Sequence, residues 1–144
     1  MQREALKFLT DYAHALDRHD VERLIDFCLL PTVVMNDHDK LVFMQGEDLA
    51  KACRVLVTRL GEANIVKHLP HLIQAIPLSD TLHFLKMRWQ LLDANEQVVS
   101  TCATSYTLQQ VADGSLKIIV AVVNDDQKSL FHFFSKKSEE ESID

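Results

Sequence analysis

Residues 61–93 read GEANIVKHLPHLIQAIPLSDTLHFLKMRWQLLD, and within them the spacing of apolar side chains changes from helical to strand-like. The second half shows the change most plainly. Thr81, His83, Leu85, Met87, Trp89 and Leu91 alternate with Leu82, Phe84, Lys86, Arg88 and Gln90, so an extended chain here has one apolar, aromatic face and one charged face. Turn residues follow at Pro77-Leu78-Ser79-Asp80, Asp93-Ala94-Asn95-Glu96 and Ala112-Asp113-Gly114-Ser115. Four long strands are therefore predicted, at about 63–76, 81–93, 97–110 and 115–124. Connections this short imply antiparallel hairpins. Pro70, inside the first strand, calls for a bulge or an edge position. The last strand, LKIIVAVV, is apolar on both faces, so both should be covered, one by helices and the other by a second subunit.

Upstream of Gly61 the period is helical. Residues 3–18 form an amphipathic pattern with Leu6, Leu9, Ala13 and Leu16 as its stripe and Ala5, Phe8 and Tyr12 beside it. Asp20 suits the N-cap of a second short helix, VERLIDFCLL, which Pro31 should end. TVVM and KLVFMQ then flank the polar tetrad Asn36-Asp37-His38-Asp39, which predicts a hairpin. Gly46 precedes a third helix, EDLAKACRVLVTRL, with Glu47 and Asp48 at its positive end and Gly61 as its expected cap. Helices first and a long meander after them make an α+β domain, expected over residues 1–125. Beyond it, residues 126–135 hold Leu130, Phe131, Phe133 and Phe134, too apolar for water and expected to dock on the chain itself or a partner. Residues 136–144 are charged and expected to be disordered.

Composition narrows the functions. Fifteen basic residues against 21 acidic ones give a net charge of −6, which disfavours nucleic acid and anionic membranes as partners. Only three glycines occur, and none lies near another, so no Gly-rich phosphate loop exists. Cys28, Cys53 and Cys102 are far apart, without a C-x-x-C pair, and fit reduced, packed thiols. The first residues, MQREALKFLTDY, do not read as a signal peptide, no apolar run is long enough to span a membrane, and a cytoplasmic location is expected.

The order of elements, with DYAHALDRHDVERLIDF (residues 11–27) and Gln45-Gly46-Glu47-Asp48-Leu49, resembles the nuclear transport factor 2-like superfamily, which includes SnoaL-like and ketosteroid isomerase-like domains. The resemblance covers roughly residues 3–125. It implies three helices packed in the concave face of a curved, mainly antiparallel sheet, a cone with an internal pocket, and homodimerisation through the outer sheet face. It also implies that Tyr12 occupies the place of a first-helix tyrosine that donates to a developing enolate in the isomerase-like members. Laid without gaps from Tyr12, the position of their carboxylate base falls on Asn36, which cannot accept a proton near neutral pH. Asp37, next door, takes that role if the strand carries one extra residue. Turn chemistry alone also accounts for Asn36 and Asp37.

The remaining candidates come from the strand faces. His83, Met87 and Trp89 share one face, and Tyr106 shares a face of the next strand with Ser100, Cys102 and Thr104. Such a wall suits a small apolar ligand and suits a core equally. His68 and His71 lie three apart and so on opposite strand faces, which argues against a shared metal. His71 or His83 is the candidate acid–base group of a pocket. Three functions are compatible with these residues. The first, favoured because the carboxylate base is missing, is a homodimeric protein that binds a small apolar molecule through Tyr12, Asn36, His83, Met87, Trp89 and Tyr106. The second is an isomerase or dehydratase with Tyr12 as oxyanion donor and Asp37 or a histidine as base. The third is a protein-interaction module. None of them calls for a cofactor or metal.

Overall fold

The computed structural model of the chain describes residues 2–125. The expected docking of residues 126–135 and the charged tail lie outside the described residues. Helix α1 spans Gln2–Asp17 and buries Ala5, Phe8, Leu9, Ala13 and Leu16. It stops where His19 takes a left-handed conformation (φ 54°) and Asp20 N–H closes back on Ala15 O. Asp20 then caps α2, Val21–Asp26, its carboxylate accepting from Arg23 N–H at 3.2 Å.

Helix α2 is shorter than expected. Residues 28–31 belong to strand β1, Cys28–Met35. A residue before proline favours extended backbone, which disposes Leu30 against a helix. Tertiary pairing completes the change: Cys28 aligns with Ile118, whose N–H donates to Phe27 O at 2.7 Å. The short apolar run CLL fits a buried strand as well as a helix, and sheet pairing decided it. Asn36 makes the following turn, its side-chain oxygen accepting from the N–H groups of His38 and Asp39. Strand β2, Lys40–Phe43, pairs antiparallel with β1. Helix α3 runs Gly46–Glu62, through Gly61 rather than ending at it. Asn64 (φ 61°) supplies the left-handed residue, and Ile65 N–H bonds to Leu60 O.

The rest is the long meander: β3 (Lys67–Pro77), β4 (Leu82–Leu92), β5 (Val98–Gln110) and β6 (Leu116–Asp125). The six strands form one sheet in the order β2-β1-β6-β5-β4-β3, antiparallel except where β6 meets β1. Three helices pack against the inner face of this curved sheet. The alternation read from the sequence sets that face, because His83, Leu85, Met87, Trp89 and Leu91 of β4 and Cys102, Thr104, Tyr106 and Leu108 of β5 are all buried. A bulge in β6 between Ile118 and Val120 keeps Ile118, Ala121 and Val123 inside and leaves Val120 and Val122 half-buried on the other side.

Pro70 lies in an edge strand, where a missing N–H costs no ladder bond. The same strand carries a bulge between Leu72 and Gln74, and exposed Ile73 is the extra residue. That residue reverses the faces of everything before it. His68 pairs with Leu91 on the inner side and His71 with Arg88 on the outer side. Unbroken alternation from the Pro77 turn places the two histidines the other way round.

Candidate functional site

Helix α1 and the inner faces of β4 and β5 meet in an aromatic cluster. Phe8 and Tyr12, one turn apart, stack at 6.0 Å with nearly parallel rings. Tyr12 meets Phe27 edge-on at 5.4 Å and Tyr106 edge-on at 6.0 Å, and Trp89 lies tilted to it at 6.3 Å. Trp89 Nε1–H donates to Tyr106 Oη at 3.2 Å, which satisfies the indole within the core. The cluster fixes three side chains that border an internal cavity.

That cavity has a volume of about 50 Å³ and lies between the helices and the sheet. Leu16, Leu24, Leu49, Leu56 and Leu60 form the helical side. Trp89, Leu91, Ile118, Ala121 and Val123 form much of the sheet side. The polar side chains in the wall are Tyr12, Cys28, Thr32, Cys53, His68 and Tyr106. Thr32 is satisfied by Leu29 O at 2.8 Å. Burial raises the Tyr12 and Tyr106 phenols well above the ordinary phenol value, and for Tyr106 the bond from Trp89 offsets part of the rise. Tyr12 as a residue is half-buried. Burial also pushes the Cys28 thiol up to about 12 and the Cys53 thiol up to about 11. These four groups are therefore neutral at physiological pH.

His68 differs from them. It is 3% exposed, and its Nδ1 lies 2.7 Å from Asp17 Oδ1, which also accepts the His68 main-chain N–H at 2.8 Å. Asp17 thereby engages Nδ1 of the ring, and Nε2 is its other nitrogen. Nε2 is buried and has no hydrogen-bond partner among the described residues. The ring also meets Trp89 edge-on at 6.2 Å. Asp17 faces the other way, into a surface groove with His19, Asn64 and Asp93.

Of the residues expected to form a site, the structure brings Tyr12, Trp89 and Tyr106 together in the cavity wall. Met87 is fully buried in the same strand face but does not border the cavity. His83, at the far end of β4, is also absent from the wall, although its Nδ1 is buried without a partner. Asn36 is committed to its turn, and Asp37 is exposed in that turn and does not border the cavity. His71 is exposed on the outer face, 3.1 Å from Gln90 Oε1. The residues that sequence reasoning missed are Asp17 and His68, which are 51 positions apart. The one available signal was Pro70 as a mark of a bulge or edge, since a bulge turns His68 inward. Among the described residues, no three His, Cys, Asp or Glu side chains gather to hold a metal ion.

The fold and site can be set beside known proteins. The family model described as NTF2-like protein (DUF6841) matches residues 3–126. The chain belongs to this nuclear transport factor 2-like family. Comparison with curated proteins gave no match. Among solved structures, a ketosteroid isomerase-like protein from Erwinia carotovora atroseptica is similar, with a TM-score of 0.62 and 16% identity, covering 89% of this chain and 95% of that one. A protein of unknown function from Shewanella oneidensis, described as NTF-2 like, gives 0.67 at 10% identity, covering 85% and 97%. A Nostoc punctiforme protein of unknown function with a cystatin-like fold gives 0.66 at 10% identity, covering 88% and 92%. Identities this low establish the shared fold. Among the described residues of this family member, no helix is long and apolar enough to cross a membrane.

The raised thiols give a pH-dependent test. Thiolate is the reactive form, so at pH 8 a thiol at about 12 holds roughly a thousandfold less of it than one at 9. Iodoacetamide at pH 8 is expected to leave Cys28 and Cys53 of the folded protein unmodified and to label all three cysteines in urea. Native labelling should climb only as the pH nears 11 to 12. Fast labelling of either residue at pH 8, read by mass spectrometry, contradicts the burial described.

Proposed function

We propose that this protein binds a small, largely apolar molecule in its internal cavity and works as a homodimer. The observation that carries the binding reading is the cavity's wall, in which leucines, Val123 and the Trp89 ring surround a few neutral polar groups. Its size sets the ligand. About 50 Å³ exceeds the roughly 10–15 Å³ that one water needs and is below the roughly 150 Å³ of an engineered apolar cavity that takes up benzene. A ligand of a few heavy atoms fits as the walls stand, and a larger one must displace Leu49, Leu56 or Leu60. The isomerase reading has less support, because Asp37 lies outside the cavity that Tyr12 borders.

Pairing is supported by the outer sheet face. Phe84, Ala103, Val120 and Val122 give it apolar character opposite the helices. Their neighbours include small Ser105 and Thr107 and, on β4, the charged Lys86 and Arg88, cross-strand from Ser105 and Ala103. A second copy of the chain covers this face in the proposed dimer.

Two measurements test these proposals. Xenon is spherical, apolar and small enough for the cavity, and its NMR signal is expected to show saturable binding to the wild type. Ala121→Leu, which puts bulk into the wall, should abolish that binding while the protein stays folded by circular dichroism. Unsaturable xenon shifts in the wild type would refute the cavity reading. Light scattering should give twice the chain mass, and Val122→Glu should halve it. A wild-type monomer at micromolar concentration removes the dimer.

A further inference from the structure

The outer sheet face is organised in rows that cross the strands. Residues paired across neighbouring strands point to the same side of a sheet. Val42 pairs with Val33, Val33 with Val120, Val120 with Thr107, Thr107 with Phe84 and Phe84 with Ile76. This row crosses all six strands, about 24 Å at the usual strand spacing, and is apolar except for the Thr107 hydroxyl. Its members are half-buried or exposed, and Val42 is 54% exposed. The next row holds Lys40, Met35, Val122, Ser105, Lys86 and Gln74. The one after it holds Asn124, Ala103, Arg88 and His71. Lys40, Lys86 and Arg88 are cations, and no side chain in these three rows is acidic. A chain of net charge −6 therefore turns an apolar and basic face outward.

Two such faces laid together repel, because each brings the same sign of charge to the other. The rest of the chain has the complementary chemistry. Leu130, Phe131, Phe133 and Phe134 are followed by Glu139, Glu140, Glu141 and Asp144, with no basic residue after Lys137. It also starts in the right place. Strand β6 ends at Asp125 in the middle of the sheet, one residue past the row of Asn124, Ala103 and Arg88. Val120 lies five residues back along that strand, about 16 Å away. Phe131 is six residues beyond Asp125 and Phe134 nine, which allows reaches of up to about 21 and 32 Å. We propose that residues 130–141 dock on the outer face of their own chain, with the phenylalanines along the apolar row and the glutamates beside Lys86 and Arg88. The docking uses the face assigned to pairing above and does not depend on that pairing. In the proposed dimer the segment lies between the two faces and supplies the negative charge that both lack.

A carbodiimide joins an amine to a carboxylate that touches it, so cross-linking of the full chain, read by mass spectrometry, locates the glutamates. Docking raises their local concentration at Lys86, which is expected to link to Glu139, Glu140 or Glu141 about tenfold more than Lys51, exposed on α3. Mixing unlabelled and nitrogen-15 chains before the reaction should show both ends of the link in one chain. Replacing the anchors together, Phe131→Ser, Phe133→Ser and Phe134→Ser, should bring Lys86 down to the level of Lys51 while circular dichroism stays unchanged. Equal linking of Lys86 and Lys51 in the wild type overturns the docking, and so does a triple variant that links as the wild type does. Links of mixed isotope mass place the segment on a partner's face and overturn docking on its own chain. Light scattering reads pairing separately. A dimer without the Lys86 links removes the docking and leaves the pairing, whereas a monomer with them removes the pairing and leaves the docking.

Discussion

A single carboxylate oxygen, Asp17 Oδ1, accepts both the main-chain N–H of His68 and its ring nitrogen. This contact joins the last residue of α1 to the start of the edge strand β3, two elements that no short connection holds together. It satisfies the first inward residue of β3 in main chain and side chain at once. Losing it strands two buried groups, at a cost of about 1–3 kcal/mol each. The position of α1 over the sheet then carries Tyr12 and Leu16 to the cavity. The fixed ring of His68 closes the same space from the sheet side, against Trp89.

Trp89 is the second organising residue. Its ring stands between His68 and the tyrosines, and its N–H is bonded to Tyr106. The aromatic cluster is therefore both core and cavity wall. His68 enters the same wall through its ring, with Nδ1 held by Asp17.

Much of this architecture was legible in the order and spacing of residues. Alternation in β4 and β5 separated their two faces, because the side-chain period of a strand is two, and the burial of one of them settled which looks inward. Asp20, the polar tetrad after Met35 and the three turns of the meander act locally, and local chemistry reads directly. Residues 28–31 were less legible, since Cys28-Leu29-Leu30 is apolar in either a helix or a strand and only pairing with β6 separates them. The site was half legible. Tyr12 followed from the family resemblance, and Trp89 and Tyr106 from strand faces. His68 did not, because one bulged residue, Ile73, inverts the face of β3 upstream of it and exchanges His68 with His71. Asp17 carries no local mark at all, and its partner is set by how α1 lies across the sheet.

The most direct test of the account is the Asp17–His68 contact, read by urea unfolding and NMR of Asp17→Ala. The structure predicts a loss of about 1–3 kcal/mol for each buried group left unpaired, together with shifted His68 main-chain and ring signals. A variant as stable as the wild type, with those signals unmoved, would mean that Asp17 does not hold β3 to α1.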